Sequence, residues 1–254
     1  MAALRDSPGR EAGLSSGYGP VGRPVLRRRL LPDALLALAP AASEHWFAAV
    51  YDPVLWYAEQ RSMADRRRAL LAQAKGRVLE IGAGTGLNLR HYPESVKDLV
   101  LVEPSLPMMR RLARNLDLLG SQARIVRANA EFLPFPDDSF DCVVASFVFC
   151  TVKDPCRSLQ ELARVTRPGG LFLFLEHVRA RSSHLAFWQD RLDPIWRRLA
   201  GGCHCNRSTL EAFLTSPFKV IHLDRADWVW MPFTVRPTIE GWAVLSPSTE
   251  QDPL

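Results

Sequence analysis

Lysine is scarce in this chain: four of its 32 basic residues are Lys and the rest are Arg, a bias to which no chemistry attaches. No apolar run reaches the roughly 18 residues that a spanning helix needs, so a transmembrane segment is not expected. There is no internal repeat, and the composition excludes wholesale disorder, collagen-like repeats and a disulfide-stapled miniature. The five cysteines (Cys142, Cys150, Cys156, Cys203 and Cys205) are an odd number. Cys142 and Cys150 lie in apolar runs, where a thiol behaves as a small hydrophobe. Cys203-His204-Cys205 has metal-like residue types, but no second CxxC or HxxxH pair completes a site, so no metal is expected. Reduced thiols in a cytoplasmic setting fit this pattern best.

What is present is ordinary globular material. The 254 residues are 47% hydrophobic and 23% charged, enough for one large α/β domain. The formal charge of +5 is unevenly spread. Residues 1–30 hold six Arg against Asp6 and Glu11, which accounts for +4 and leaves the rest nearly neutral. A nucleic-acid binder would show its basic stripe on the folded domain, so nucleic acid is not an expected partner.

Residues 1–42 read as a mobile basic tail with a short apolar stretch. Arg27-Arg28-Arg29 followed by Leu30–Ala42 has the order of a signal peptide, interrupted by Pro32 and Asp33. It also has the polybasic and apolar signals for peripheral contact with an anionic membrane through residues 23–42. A helical cap comes next over 43–75, with Ser43 as N-cap and Trp46, Phe47, Val50, Tyr51, Leu55 and Trp56 at helical spacing. Within it, Arg66-Arg67-Arg68 reads as a solvated helix face.

From residue 76 to 246, strand and helix patterns alternate. Strands are expected at Arg77–Ile81, Leu99–Val102, Arg124–Val126, Cys142–Phe147 and Leu171–Leu175, with two late ones near Lys219–Leu223 and Thr238–Leu245. Helices are expected at Met108–Leu119, Ser158–Val165 and Ser183–Ala200, and a stop-and-turn at Arg167-Pro168-Gly169-Gly170. The β-α-β order implies a doubly wound, Rossmann-like α/β sheet. Residues 247–254 form a C-terminal tail.

Glu80-Ile81-Gly82-Ala83-Gly84-Thr85-Gly86 joins the first strand to the next segment. Its glycines allow a tight turn and close approach of backbone to ligand. Leu87 stands where a dinucleotide fingerprint would put its third glycine, which disfavours NAD. Glu80 suits a cationic ammonium. Glu103, at the end of the second strand, is placed to accept both hydroxyls of a ribose. Asn129-Ala130-Glu131 after the third strand could hold an adenine edge. Ser146 and Phe147 close the fourth strand at its carboxyl end.

In this order the motifs resemble those of the class I S-adenosylmethionine-dependent methyltransferases, over about residues 76–178. The resemblance implies a seven-stranded sheet, mostly parallel with the last strand antiparallel, and S-adenosyl-L-methionine as cofactor. It implies cofactor contacts from Glu80, Gly82, Ala83, Gly84, Thr85, Gly86, Asn88, Glu103, Pro104, Asn129, Ala130, Glu131, Ser146 and Phe147. The family often has Asp where this chain has Asn129.

Further stretches, among them Gly84–Pro93, Glu176-His177-Val178, Trp188-Gln189, Pro194-Ile195-Trp196 and Arg236-Pro237, are similar to the methyltransferase-like thiol S-methyltransferase group. A small, fairly apolar acceptor is therefore expected, a thiol first. C- or N-methylation of a quinone, a phospholipid headgroup or another metabolite is the alternative. A cofactor-binding interaction protein without turnover is the reading from another class. His177 is the candidate base or orienting group, and capping its own strand is its structural alternative. A substrate-covering insertion is expected over about 180–207, and Trp188, Trp196, Cys203, His204, Trp228 and Trp230 are candidate pocket residues.

Overall fold

The computed structural model describes residues 47–49, 51–53 and 56–246. The tail 1–42 with its lipid-contact segment 23–42, together with Ser43, Trp46, Val50, Leu55 and the tail 247–254, lies outside the described residues.

Seven strands form a single sheet: β1 (Gly76–Ile81), β2 (Val96–Val102), β3 (Arg124–Val126), β4 (Phe140–Ser146), β5 (Thr166–His177), β6 (Phe218–Asp227) and β7 (Pro237–Leu245). Their spatial order is β3-β2-β1-β4-β5-β7-β6. The pairs β1–β2, β1–β4, β2–β3 and β4–β5 are parallel. β7 runs antiparallel to both neighbours, β5 and β6. The expected doubly wound sheet with an antiparallel last strand is what forms. Its strand order reverses between β1 and β4, the place where open α/β sheets leave a crevice at their carboxyl edge.

Helices cover both faces: α1 (Ala64–Leu71), α2 (Leu106–Leu119), α3 (Pro155–Val165), α4 (Ser183–Leu199) and α5 (Thr209–Leu214). The period-2 alternation of side chains explains how the central strands serve both layers. Val143, Phe172 and Phe174 join one core with Leu159 and Leu162 of α3. Their neighbours Val144, Leu173 and Leu175 join the other, with Leu70 and Leu71 of α1. Helix ends obey local chemistry. The Asp154 carboxylate accepts from the Arg157 N–H at the start of α3, and Gly120 ends α2 at φ +62° with its N–H bonded back to the last turn.

Two boundaries differ from the sequence pattern. Arg167-Pro168-Gly169-Gly170 is not a turn before the fifth strand but an irregularity inside it: Thr166 pairs with Phe140, and regular pairing resumes at Leu171 with Cys142. Gly169 takes the bend at φ +75°. β4 ends at Ser146, because Phe147 adopts φ +58°, a left-handed conformation that a strand cannot continue.

β7 threads between β5 and β6 with little clearance at Gly241. A Cβ there would lie 2.1 Å from the His222 carbonyl oxygen and 3.0 Å from the Phe174 ring. Gly241→Ala should therefore destabilise the domain by about 2–3 kcal/mol through overpacking. In thermal unfolding this would appear as a Tm lowered by roughly 4–12 °C; an unchanged Tm would show that β7 has room to move.

Candidate active site

The loop after β1 builds the floor of the crevice. Gly82 turns at φ +59°, where a Cβ would sit 2.6 Å from the Val148 side chain. Gly84, at φ +58°, has only the Gly82 carbonyl oxygen within reach of a Cβ, at 3.9 Å, so the backbone is open to a ligand above it. The cleft over this loop has a volume of about 260 Å³, including its open mouth. It brings together Glu80, Gly82, Ala83, Gly84, Thr85, Asn88 and Ser146 from the expected set, and adds Tyr51, Arg67 and Leu87.

One polar network runs beneath it. Asn88 donates from Nδ2 to Glu80 Oε1 at 2.9 Å and to the Ser146 hydroxyl at 3.1 Å. The Tyr92 hydroxyl donates to Glu80 Oε2 at 2.7 Å. Burial pushes the Glu80 carboxyl up to about 7, against the hydrogen bonds from Tyr92 and Asn88 that pull it down. Glu80 is therefore near the midpoint of its titration at neutral pH. The cap closes over the loop through the Thr85 hydroxyl, which donates to Asp52 Oδ1 at 2.6 Å.

The arginine run departs from the solvated face that its sequence suggests. Arg67 is 3% exposed, donating from Nε to Glu59 Oε1 at 2.7 Å and from Nη1 to Asn88 Oδ1 at 2.8 Å. Its guanidinium also lies 5.5 Å from the centre of the Phe147 ring. Arg66 reaches across to Glu240 and Thr238. Of the three, only Arg68 is solvated, beside Asp65. Arg67 shares the buried stripe of Met63, Leu70, Leu71 and Ala74 at helical spacing, a signal the triple-Arg run conceals.

Glu103 follows the end of β2 beside the floor. Its Oε2 accepts from the Gly84 N–H and its Oε1 from the Ser105 N–H, each at 2.9 Å. It thus orders the glycine loop. The remaining residues of this group lie further along the sheet edge. Pro104 is exposed, its carbonyl accepting from Arg127. Asn129 is exposed and pairs with Phe132 in a short bridge, and Ala130 is buried. Glu131 accepts from the Lys153 and Asp154 N–H groups, which fixes the approach to α3. Gly86 packs against Leu89 and Leu112 instead of lining the cleft.

On the other side of the reversal point, the carboxyl ends of β4 and β5 carry an aromatic stack. Phe147 lies 5.0 Å from Trp228 in near-parallel stacking and 4.5 Å from His177. Trp228, a candidate pocket residue, is 1% exposed, with its indole N–H donated to the Ala58 carbonyl. His177 is buried, and burial holds it down to about 4, so it is neutral at physiological pH. The other expected pocket residues spread outward. Trp196 is half-buried, Trp188 is exposed with its N–H 3.4 Å from His184 Nε2, and Trp230 is exposed against Tyr57. Cys203 is buried; its hydrogen bond to Cys150, followed by burial, pushes the Cys150 thiol well up. His204 lies 3.5 Å from Asp193. Among the described residues no group of His, Cys, Asp or Glu is arranged to hold a metal ion.

Glu176, next to His177, shapes this edge. It is fully buried, and its Oε1 accepts from the Val148 N–H at 2.9 Å and the Phe149 N–H at 3.1 Å. Burial raises its carboxyl to about 8 from an ordinary 4.5, despite those backbone bonds. The folded state thus keeps a proton that the unfolded chain releases, so stability falls as pH rises from about 4.5 to about 8 and levels off above. Glu176→Gln keeps the acceptor oxygen and removes the titration. The variant should be more stable than wild type at pH 8, by about 1.4 kcal/mol for every tenfold by which folding strengthens proton binding at Glu176. Chemical denaturation at pH 5, 7 and 8 should show a smaller slope between pH 7 and 8, the remainder belonging to Glu80; a slope equal to wild type would place the proton elsewhere.

Similarities to known proteins agree with this arrangement. Residues 79–174 match the family model described as a methyltransferase domain. The chain is 34% identical over 201 residues to thiol S-methyltransferase TMT1A of Homo sapiens, covering 74% of this chain and 81% of that one. It is 36% identical over 124 residues to phosphatidylethanolamine N-methyltransferase of Cereibacter sphaeroides, covering 48% and 61%. The fold is that of geranyl diphosphate C-methyltransferase from Streptomyces coelicolor, solved with S-adenosyl-L-homocysteine, at a TM-score of 0.57 and 13% identity over 72% of this chain and 75% of that one. With the glycine loop, the paired strand-end acids and the seven-stranded order in place, the chain belongs to the class I S-adenosylmethionine-dependent methyltransferases and is similar to its thiol S-methyltransferase group.

Proposed function

We propose that this methyltransferase acts on a small, fairly apolar thiol. S-adenosyl-L-methionine fits the residues present: Gly84 leaves its backbone open, and two strand-end carboxyls suit a ligand with a cationic amino-acid end and a ribose diol. In this reading Glu80 and Asn88 face the amino-acid end, Arg67 its carboxylate, and Glu103 the ribose. Asn129, Ala130 and Glu131 border the adenine, with Pro104 beside them. The cofactor supplies an electrophilic methyl on a sulfonium, and the chain supplies alignment, which can be worth roughly 7–11 kcal/mol.

The observation that carries the acceptor class is the stack of Phe147, Trp228 and His177. In this reading the stack backs the acceptor end, and its titratable member, His177, is held down to about 4. Such an imidazole is a weak base, too weak to ionise a phenol or an alcohol. A thiol, at a pKa of about 8.5, brings its own thiolate and needs only orientation and dry surroundings. His177 in this reading orients the acceptor and does not carry its proton away. The similarity to thiol S-methyltransferases supports the same class. In this reading the buried side of the 180–207 segment, which contains α4, covers the acceptor end, and the outward face of α4 takes no part in binding the acceptor.

The test is S-adenosyl-L-homocysteine release against matched thiol, phenol, quinol and amine acceptors. Release with the thiol at least about tenfold above the others is expected. Release led by a quinol or amine would keep the enzyme class and discard the thiol. No acceptor-dependent release from protein that binds S-adenosyl-L-methionine would favour a binding protein without turnover.

Two substitutions separate the halves of the site. Glu103→Ala should weaken S-adenosyl-L-methionine binding about tenfold or more, the loss of a charged hydrogen bond of roughly 1.5–3 kcal/mol. His177→Ala should lower thiol turnover while calorimetric cofactor affinity stays at the wild-type value. Unchanged affinity in the first, or an equal loss of both quantities in the second, would withdraw that residue's assignment.

A further inference from the structure

α4 has the wrong surface for a helix at the edge of a water-soluble domain. Its inner face is secure: Ala186, Gln189 and Asp193 are buried at helical spacing. Gln189 Nε2 donates to the carbonyls of Val178, Cys205 and Thr234, which ties the helix to the end of β5 and to the turn Phe233–Val235. The opposite face should then be polar. Instead it carries Phe187 (59% exposed), Trp188 (40%), Ile195 (57%) and Leu199 (59%). Between them on the same side stand the exposed Arg191 and Arg198. Phe233, 46% exposed, extends the apolar surface onto the adjoining turn.

The charges on this side are of one sign. Of the two acids of α4, Asp193 is buried, and Asp190 lies to the flank with its carboxylate bound to the Arg179 guanidinium and the Asn206 amide. Neither places a carboxylate outward between the arginines. A second copy of the chain packed on this face in a two-fold manner would bring the same arginines together with nothing from α4 to neutralise them. Large apolar and aromatic side chains set among cations are the composition of a helix lying in the headgroup region of a bilayer.

We infer that α4 docks the protein on an anionic lipid surface, with Phe187, Trp188, Ile195 and Leu199 entering the acyl boundary and Arg191 and Arg198 meeting the headgroups. The inference rests on the outer face of α4 and not on the identity of the methyl acceptor. Because the same helix is pinned to the end of β5, docking would hold the acceptor side of the crevice near the bilayer. Each arginine should contribute about fivefold to partition at an anionic leaflet.

The experiment is co-sedimentation of the full chain with phosphatidylcholine vesicles, with and without phosphatidylglycerol. Wild type should bind the phosphatidylglycerol vesicles. F187S/I195S/L199S should bind them at least tenfold less, and R191Q/R198Q about tenfold or more less. With a water-soluble acceptor, both variants should form S-adenosyl-L-homocysteine from S-adenosyl-L-methionine at the wild-type rate, which keeps this result separate from the acceptor assignment and confirms folding. Two results would overturn the inference. One is variant binding equal to wild type, which would leave lipid contact to residues 23–42. The other is a lipid-free dimer in sedimentation velocity that F187S/I195S/L199S converts to monomer.

Discussion

Arg67 is the constraint around which the site is organised. A guanidinium taken almost wholly out of water carries a desolvation penalty of several kcal/mol, recovered only when its partners are well placed. Here they come from separate parts of the chain: Glu59 from the turn before α1, Asn88 from the segment after the glycine loop, and the face of Phe147 at the end of β4. Asn88 passes the constraint on to Glu80 in β1 and Ser146 in β4. The cap, the glycine loop and the two strands at the reversal point are thus held by one network of hydrogen bonds. Losing any partner would strand a charge or an amide in a buried place. Pre-set polar groups of this kind suit a reaction that asks for alignment more than for proton transfer.

Burial acts on three titratable groups around the crevice and leaves each in a different condition. Glu80 is drawn to the edge of ionisation because Tyr92 and Asn88 partly replace its lost water. Glu176 keeps its proton, since backbone N–H groups to one oxygen compensate less than burial costs. His177 loses its proton for the same reason of burial. The ends of β4 and β5 therefore hold two neutral groups and aromatic rings, while the glycine-loop side holds charge. The proposed division between cofactor and acceptor follows this contrast.

How much of this is legible in the sequence depends on the range of the interactions. Short-range signals are clear. The glycine loop, the strand-end Glu103, the alternation of strands and helices and the end of α2 at Leu119 depend on neighbours within a few residues, and they stand where expected. The interior of β5 misleads because Arg-Pro-Gly-Gly has turn chemistry, yet pairing with Phe140 extends the strand across it. Arg67 is hidden by its company: three arginines in a row suggest solvent, and the helical stripe of Met63, Leu70 and Ala74 has to be given more weight than the charge. Trp228 cannot be read locally at all. It stands in a Trp-rich connection, and it is buried only because Ala58, Phe147 and His177, from three distant segments, converge on it. The helical spacing of α4 is legible, but periodicity alone does not say which side of a helix meets the core when both sides carry large apolar residues.

That asymmetry has a physical consequence for how such a fold diversifies. The glycine-loop side is built from motifs close in sequence, whose geometry comes from backbone requirements that few residues can meet, such as the positive φ of Gly82 and Gly84. The aromatic side is assembled from the ends of β4 and β5, the residues between β6 and β7, and the cap. Its contacts are aromatic and apolar, and such contacts tolerate exchange as long as volume is kept. Substitutions on this side can reshape the stack without disturbing the Arg67 network, provided Phe147 keeps its backbone turn and its place under the guanidinium. Phe147 belongs to both sides: it stacks on Trp228 and His177 while lying beneath Arg67. A change there would couple the aromatic stack directly to the network that organises the glycine loop.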